Sequence, residues 1–353
     1  MDLVIFTECP TRDYFRGLLK LKPNARFIDS RSFYLLFLKI YSEVYLLRKI
    51  GSFFGKPLEV KKVYWNDILW SFFGYFYLIF TRKKVVALFA PYSWIAVYLF
   101  VIRSLGTKVV YMTSWPYWNG RDYVFKPNKI KLFFWKNFLK NIDCVTISKS
   151  AEVALRKYTS NILQIPHAVD LNLFSVGKKD AKFKVLYVGR IIEEKGIQGI
   201  LNVARVLGHI EFEFVGSGSC DNLVRNCELK NVVYHGEIRD RVKLAKIFSS
   251  ASVFVLNSYK VPRWEELYGI VLLEALASGT CVICTDCVGP REIVKKEFGF
   301  LIRQHDEKAL KEKIEFLYEN PKQAVKMGLE GRKFVEENYD INVLAEKWNK
   351  ILR

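Results

Sequence analysis

The sequence has no low-complexity tract, no short internal repeat and no basic stretch ahead of its first apolar run, MDLVIFTECP. The first two absences exclude a fibrous or disordered chain, and from the third no cleaved secretory leader and a cytoplasmic location are expected. Seven cysteines lack the dense spacing of a small disulfide scaffold and are expected to be free thiols. Carboxylates are scarce. Against 55 Lys and Arg stand 36 Asp and Glu, a formal charge of +19, which calls for an acidic partner without choosing among nucleic acid, anionic lipid and a phosphorylated substrate.

Uninterrupted apolar runs of membrane length are also missing. Val85 to Ile102 is free of charge for 18 residues, the lower edge of spanning length, but Pro91, Tyr92 and Ser93 divide it. A strand-like VVALFA, a helix-like WIAVYLFVIRSLG and a second strand KVVYM result. A buried βαβ unit fits better than a membrane span, because parallel strands covered on both faces are continuously apolar.

What is present is a chain of 353 residues, 51% hydrophobic and 26% charged, long enough for more than one domain. Residues 1–170 carry 26 basic and 11 acidic side chains, residues 171–353 carry 29 and 25, so the positive excess lies in the first half. Aromatic residues crowd the same half, at Trp65 to Phe80 and at Tyr111 to Phe138, the second cluster holding a single acid, Asp122. Such a composition suits a surface that meets something both apolar and anionic.

Strand-like runs at Leu3–Phe6, Val85–Phe89, Lys108–Met112, Cys144–Ile147 and Ile162–Ile165, most of them separated by helix-length segments, predict a parallel α/β sheet. The polar stretch Asp170 to Lys184 reads as a linker, after which KVLYVG, GIQGILNVARVLG, HIEFEFVGSG, VVYHG, SVFVLNS and TCVICT restart the pattern. Two Rossmann-like, doubly wound domains are expected, residues 1–170 and 171–336, with ligands at the carboxyl ends of the strands and in a central cleft.

The densest chemistry lies in Glu266 to Gly279, ELYGIVLLEALASG: a loop carboxylate, a glycine permitting close backbone approach, then a helix bearing a second carboxylate, Glu274. The amides of Tyr268, Gly269 and Ile270 would sit at that helix's N-terminus, a ready anion site. Glu-x7-Glu followed by Ala-x-Ala-x-Gly resembles the signature of family 4 retaining glycosyltransferases of the GT-B fold. Four more stretches fall in the family's order. Pro166-His-Ala-Val-Asp170 resembles its Pro-Asn-Gly-Val-Asp, and Tyr187-Val-Gly-Arg190 with Glu194-Lys195-Gly196 its diphosphate clamp. Val215-Gly-Ser-Gly218 resembles the next glycine-rich strand end, and Tyr234-His-Gly236 the loop at the nucleotide base.

The resemblance covers residues 144–300. It implies a nucleotide-sugar donor, UDP- or GDP-linked, no cofactor beyond it, and transfer with retention by a same-face mechanism. It also implies donor contacts from Gly189, Gly216, Gly236, Tyr268, Gly269, Ile270 and Glu274, and a C-terminal helix, residues 337–353 with Trp348, packing back on the first domain.

Chemistry supports these roles independently. A leaving diphosphate must be stabilised as charge develops, by a metal or by fixed cations and amides. No Asp-x-Asp pair occurs, so no obligatory metal is expected; Arg190 and Lys195, five apart across a strand-to-helix turn, are the natural clamp. Glu274 would accept bonds from two ribose hydroxyls, Glu266 would orient the donor sugar, and the adjacent Glu265 is read as facing solvent.

Two other patterns compete for attention. Cys281, Cys284 and Cys287 have the spacing of a ligand loop, yet residues three apart in a strand point to opposite faces, so packing is favoured over metal. Lys129, Lys136 and Lys140 share a helical stripe beside Ile130, Phe133, Phe134 and Trp135, fitting either an interfacial helix on anionic lipid or a core helix with a solvated edge.

The first half departs from the family. Thr7-Glu-Cys-Pro-Thr11 stands where a glycine pair is usual, and Thr113-Ser-Trp-Pro-Tyr-Trp118 where a histidine is usual. Arg12, Ser114, Trp115 and Asn119, with Arg121 and Tyr123 close by, are acceptor-side candidates by position alone. The expected function is hexosyl transfer to a glycan or lipid-linked acceptor, peripherally at the inner face of the cell membrane. The alternative is a basic nucleic-acid- or membrane-binding module on an inactive GT-B fold, in which the ordered donor motifs have no place.

Overall fold

A computed structural model describes residues 3–7, 12–29, 65–81, 83–118, 127–262 and 264–353. The first sheet and its helices run β1 (Leu3–Thr7), a 3-10 turn (Arg12–Phe15), α1 (Arg16–Leu21), β2 (Arg26–Asp29), α2 (Trp65–Thr81), β3 (Lys84–Leu88), α3 (Ile95–Ser104) and β4 (Val109–Thr113). They continue with α4 (Lys129–Lys140), β5 (Asp143–Thr146), α5 (Lys149–Leu155) and β6 (Ile162–Gln164). The second part runs β7 (Lys184–Val188), a 3-10 turn (Glu193–Lys195), α6 (Ile197–Val206), β8 (Glu211–Val215), α7 (Asp221–Arg225), β9 (Val232–Tyr234) and α8 (Arg241–Ser250). It ends β10 (Val253–Leu256), α9 (Ile270–Ala277), β11 (Cys281–Thr285), α10 (Val288–Ile293), β12 (Gly299–Ile302), α11 (Glu307–Glu319), α12 (Pro321–Tyr339) and α13 (Ile341–Leu352).

Each sheet has six parallel strands, ordered β2-β1-β3-β4-β5-β6 and β12-β11-β10-β7-β8-β9. Runs such as LVIFT, VVYMT and CVICT are buried along their whole length, as strands sandwiched between helix layers must be. Strand order reverses between β1 and β3 and again between β7 and β10, which opens a crevice at the carboxyl ends of both sheets. The charge-free segment Val85–Ile102 is β3, a turn with Tyr92 at φ 60°, and α3. No described helix is long and apolar enough to cross a membrane.

β2, RFID, is absent from the strands expected above. Charged at both ends with two apolar residues between, it carries almost no periodic signal; pairing with β1, Ile5 opposite Phe27, makes it a strand. The three cysteines 281, 284 and 287 are buried, and burial pushes Cys281 up to about 12 and Cys287 to about 11. Among the described residues no cluster could hold a metal, and these thiols pack.

The chain passes from the first sheet's side to the second near Val169 and returns near Asp340, and these two residues form a parallel bridge. α13 then lies against α1 so closely that a Cβ at Gly17 would be 3.3 Å from the Leu344 Cβ, with Trp348 only 2% exposed.

Candidate active site

The carboxyl ends of the sheets face a cleft of about 950 Å³. Past β7 the chain turns through Gly189 into Arg190, whose carbonyl accepts a 2.6 Å bond from the Tyr187 hydroxyl. The Arg190 side chain is exposed in the cleft, with no carboxylate partner among the described residues. Lys195, in the following 3-10 turn, is buried; its ammonium pairs with Glu266 and lies 5.3 Å from the centre of the Trp264 ring. Clamp and carboxylate, 71 residues apart in sequence, thus meet at one point.

Beyond Glu266 the backbone enters α9 through Gly269 at φ 81°, the left-handed region that favours glycine. Tyr268, Gly269 and Ile270 line the cleft there, at a helix N-terminus suited to anions. Gly189, Gly216 and Gly236 join the ends of β7, β8 and β9. A Cβ at Gly216 would lie 1.8 Å from the Gly189 carbonyl oxygen, and the Gly216 amide donates to the Gly236 carbonyl at 2.8 Å. Of the three only Gly189 lines the cleft.

Three expectations need correction. Glu274 is not open to the cleft: it is 2% exposed, its Oε1 accepting from Arg241 at 2.7 Å and from Arg16 at 3.2 Å, and Arg16 is braced by Asp13 at 2.8 Å. Glu265 does not face solvent. Past the Val261–Trp264 bridge its carboxylate, 5% exposed, accepts from the Tyr117 hydroxyl of the first domain and, at 2.9 Å, from the Val288 amide of its own domain. Lys260 stands 3.7 Å from it and over the Tyr117 ring. Arg12 lies 5.5 Å over the Phe27 ring, away from the cleft lining, because the turn it opens aims Arg16 rather than Arg12 across the gap. Ser114 and Trp115 do line the cleft, whereas Asn119, Arg121 and Tyr123 lie outside the described residues.

Tyr14 and His167 are lining residues that sequence reasoning did not single out. The His167 ring stacks on Tyr14 at 4.8 Å and meets the Tyr268 ring edge-on at 4.7 Å. Its Nδ1 lies 3.0 Å from the Tyr14 carbonyl, which can only accept, so Nδ1 carries the proton and Nε2 the lone pair. Burial lowers its pKa to about 4, keeping it neutral. The available signal was its place in Pro166–Asp170, where the family has asparagine.

One more carboxylate bridges the gap. Glu292 of α10 accepts from the amides of Lys149 and Ser150 at 2.6 and 2.7 Å, in the first turn of α5.

Two parallel Rossmann-like sheets facing a cleft, with the basic clamp on the second, define the GT-B fold. HepE of Anabaena, solved in complex with UDP, shares it with a TM-score of 0.70 at 14% identity, covering 100% of this chain and 99% of that one. Sucrose-phosphate synthase of Thermosynechococcus elongatus shares it with a TM-score of 0.66 at 22% identity, over 84% and 80% of the two chains. Residues 169–334 match the family model of glycosyl transferases group 1. The capsular polysaccharide biosynthesis glycosyltransferase CapM of Staphylococcus aureus is 28% identical over 176 residues, 47% of this chain and 44% of that one. The N,N'-diacetylbacillosaminyl-diphospho-undecaprenol alpha-1,3-N-acetylgalactosaminyltransferase of Campylobacter jejuni is 26% identical over 174 residues, 49% and 45%. The chain thus spans less than half the length of these curated relatives.

Proposed function

We propose that this chain is a retaining, metal-independent glycosyltransferase that moves a hexose from a UDP- or GDP-linked donor to a glycan or lipid-linked acceptor at a cytoplasmic membrane surface. The observation that carries the reading is the convergence of Arg190, Lys195 and Glu266 on the N-terminus of α9 within one cleft. Two cations and a set of helix amides suit a leaving diphosphate, with no metal required and no cofactor beyond the donor. A diphosphate drawn to Lys195 would release Glu266 from its ion pair, leaving that carboxylate to orient the donor sugar. Trp115 and Tyr117 on the opposite wall, and Trp264 beside Lys195, line the cleft with rings that could meet a sugar. The complex of HepE with UDP, the capsular polysaccharide biosynthesis in CapM's name and the diphospho-undecaprenol acceptor in the Campylobacter protein's name point the same way.

On this reading Glu274 receives the ribose only once Arg241 and Arg16 release its carboxylate, and closure of the domains over the donor would then be needed for turnover. Nothing in the cleft favours a nucleic-acid-binding module.

The test is thermal stability with UDP, GDP, ADP and CDP, each with and without EDTA. A ligand at one hundred times its dissociation constant adds about 2.7 kcal/mol. One diphosphate should raise the midpoint in EDTA and Arg190→Ala should blunt the rise. If no diphosphate does so, the reading falls.

A further inference from the structure

α3 and α4 lie side by side on one face of the first sheet: Phe100 meets Phe134 at 6.0 Å and the Lys131 ammonium lies 5.0 Å over the Trp94 ring. The inner side of α4 is core, with Trp135, Phe138 and Leu139 buried. Its outer side is not. Ile130 is 72% exposed and Phe133 71%, and on the neighbouring helix Trp94, Val101 and Leu105 are exposed along one stripe. Soluble proteins seldom leave such side chains together in water without a use for them.

The two helices themselves carry charges of one sign. α3 and α4 carry Arg103, Lys129, Lys131, Lys136 and Lys140 and no carboxylate. An apolar strip a few ångströms deep, edged by lysines, matches the boundary of an anionic bilayer, where the side chains enter the acyl region and the ammonium groups meet lipid phosphates. Phe133 and Trp94 could stack bases, but Ile130, Val101 and Leu105 between the lysines offer a nucleic acid neither stacking nor hydrogen bonds, and suit acyl chains better. Both helices begin on the side of the sheet that faces the cleft. Leu88, which lines it, lies six residues before Trp94, and Met112, the same wall's next strand end, precedes the loop into α4.

We propose that the outer face of α3 and α4 docks this protein on an anionic lipid surface with the cleft mouth turned toward it. The inference deepens the membrane location in the glycosyl-transfer reading and rests on that reading for its purpose, though not for the contact itself.

Co-sedimentation with vesicles of phosphatidylcholine, alone and with about a third phosphatidylglycerol, tests it. The wild type should pellet with the anionic vesicles only and be released at high salt, where charge is screened. Ile130→Ser/Phe133→Ser should cut partitioning about tenfold or more. Lys136→Glu/Lys140→Glu should abolish the preference for anionic lipid. Each variant must keep the wild-type thermal midpoint and its rise with UDP, since none of the four residues touches the cleft lining.

Absence of pelleting, equal pelleting with neutral vesicles, or pelleting unaltered in both variants overturns the proposal. So does retention of a single-stranded oligonucleotide through the same lysines in place of vesicles. If UDP raises the midpoint but no vesicle binds, the docking surface falls and glycosyl transfer stands. If vesicles bind but no nucleoside diphosphate stabilises, the surface stands and the enzymatic reading falls.

Discussion

Lys195 and Glu266 hold each other in the cleft, and their separate roles predict separable defects. Lys195→Ala should weaken the nucleoside diphosphate itself, read as a smaller thermal shift. Glu266→Gln should leave that shift largely intact while lowering kcat by about 100-fold or more, read in a donor-turnover assay. These residues were legible because each belongs to a short motif with a chemical reason for its spacing. Arg16 was not: it reaches Glu274 from 258 positions away, and no local pattern carries such information. Glu265 was misread for a related reason, since the turn that swings it inward depends on a bridge between Val261 and Trp264. His167 gives a pH prediction. Unfolded, it titrates near 6.5; folded, near 4, so below pH 6.5 the unfolded chain takes up a proton that the folded chain refuses. Stability should fall progressively toward pH 4, by about 2 kcal/mol at pH 5. Denaturant titrations of wild type and His167→Asn should show their difference narrowing by that amount between pH 7 and pH 5.

At the scale of elements, the parallel strands were readable as apolar runs, because each lies between two helix layers. β2 escaped because four residues with charged ends acquire strand character only from β1 beside them. The glycine-bearing strand ends were recognised as a motif, but their function is first of all steric. Gly216 sits where any side chain would strike the Gly189 carbonyl, at a φ of 140° besides. Gly216→Ala should therefore cost about 2 kcal/mol or more and lower the denaturation midpoint even without nucleotide. A loss confined to nucleotide binding would contradict this account. Glu292 acts between elements too, its carboxylate satisfying amides at the start of α5 from the other side of the cleft.

For the whole molecule, a single apolar cluster runs through Ile5 of β1, Leu186 of β7, Leu273 of α9 and Trp348 of α13. Trp348→Ala should cost about 3–5 kcal/mol, and because the cluster is shared, both halves should lose stability together in a denaturant titration followed by several probes. The division of charge belongs to this scale as well: five of the first half's 26 basic side chains lie on α3 and α4, which carry no carboxylate.

The return of α13 to α1 has a consequence for how the protein is made. A ribosome delivers α1 early and α13 some 320 residues later, about half a minute at about ten residues per second. During that interval the second sheet can be completed and packed, while the face of α1 that will receive Leu344 and Trp348 stays uncovered. The half that is translated first is thus the half that is finished last, and a nascent chain stalled before Ile341 should be bound by chaperones through its N-terminal half.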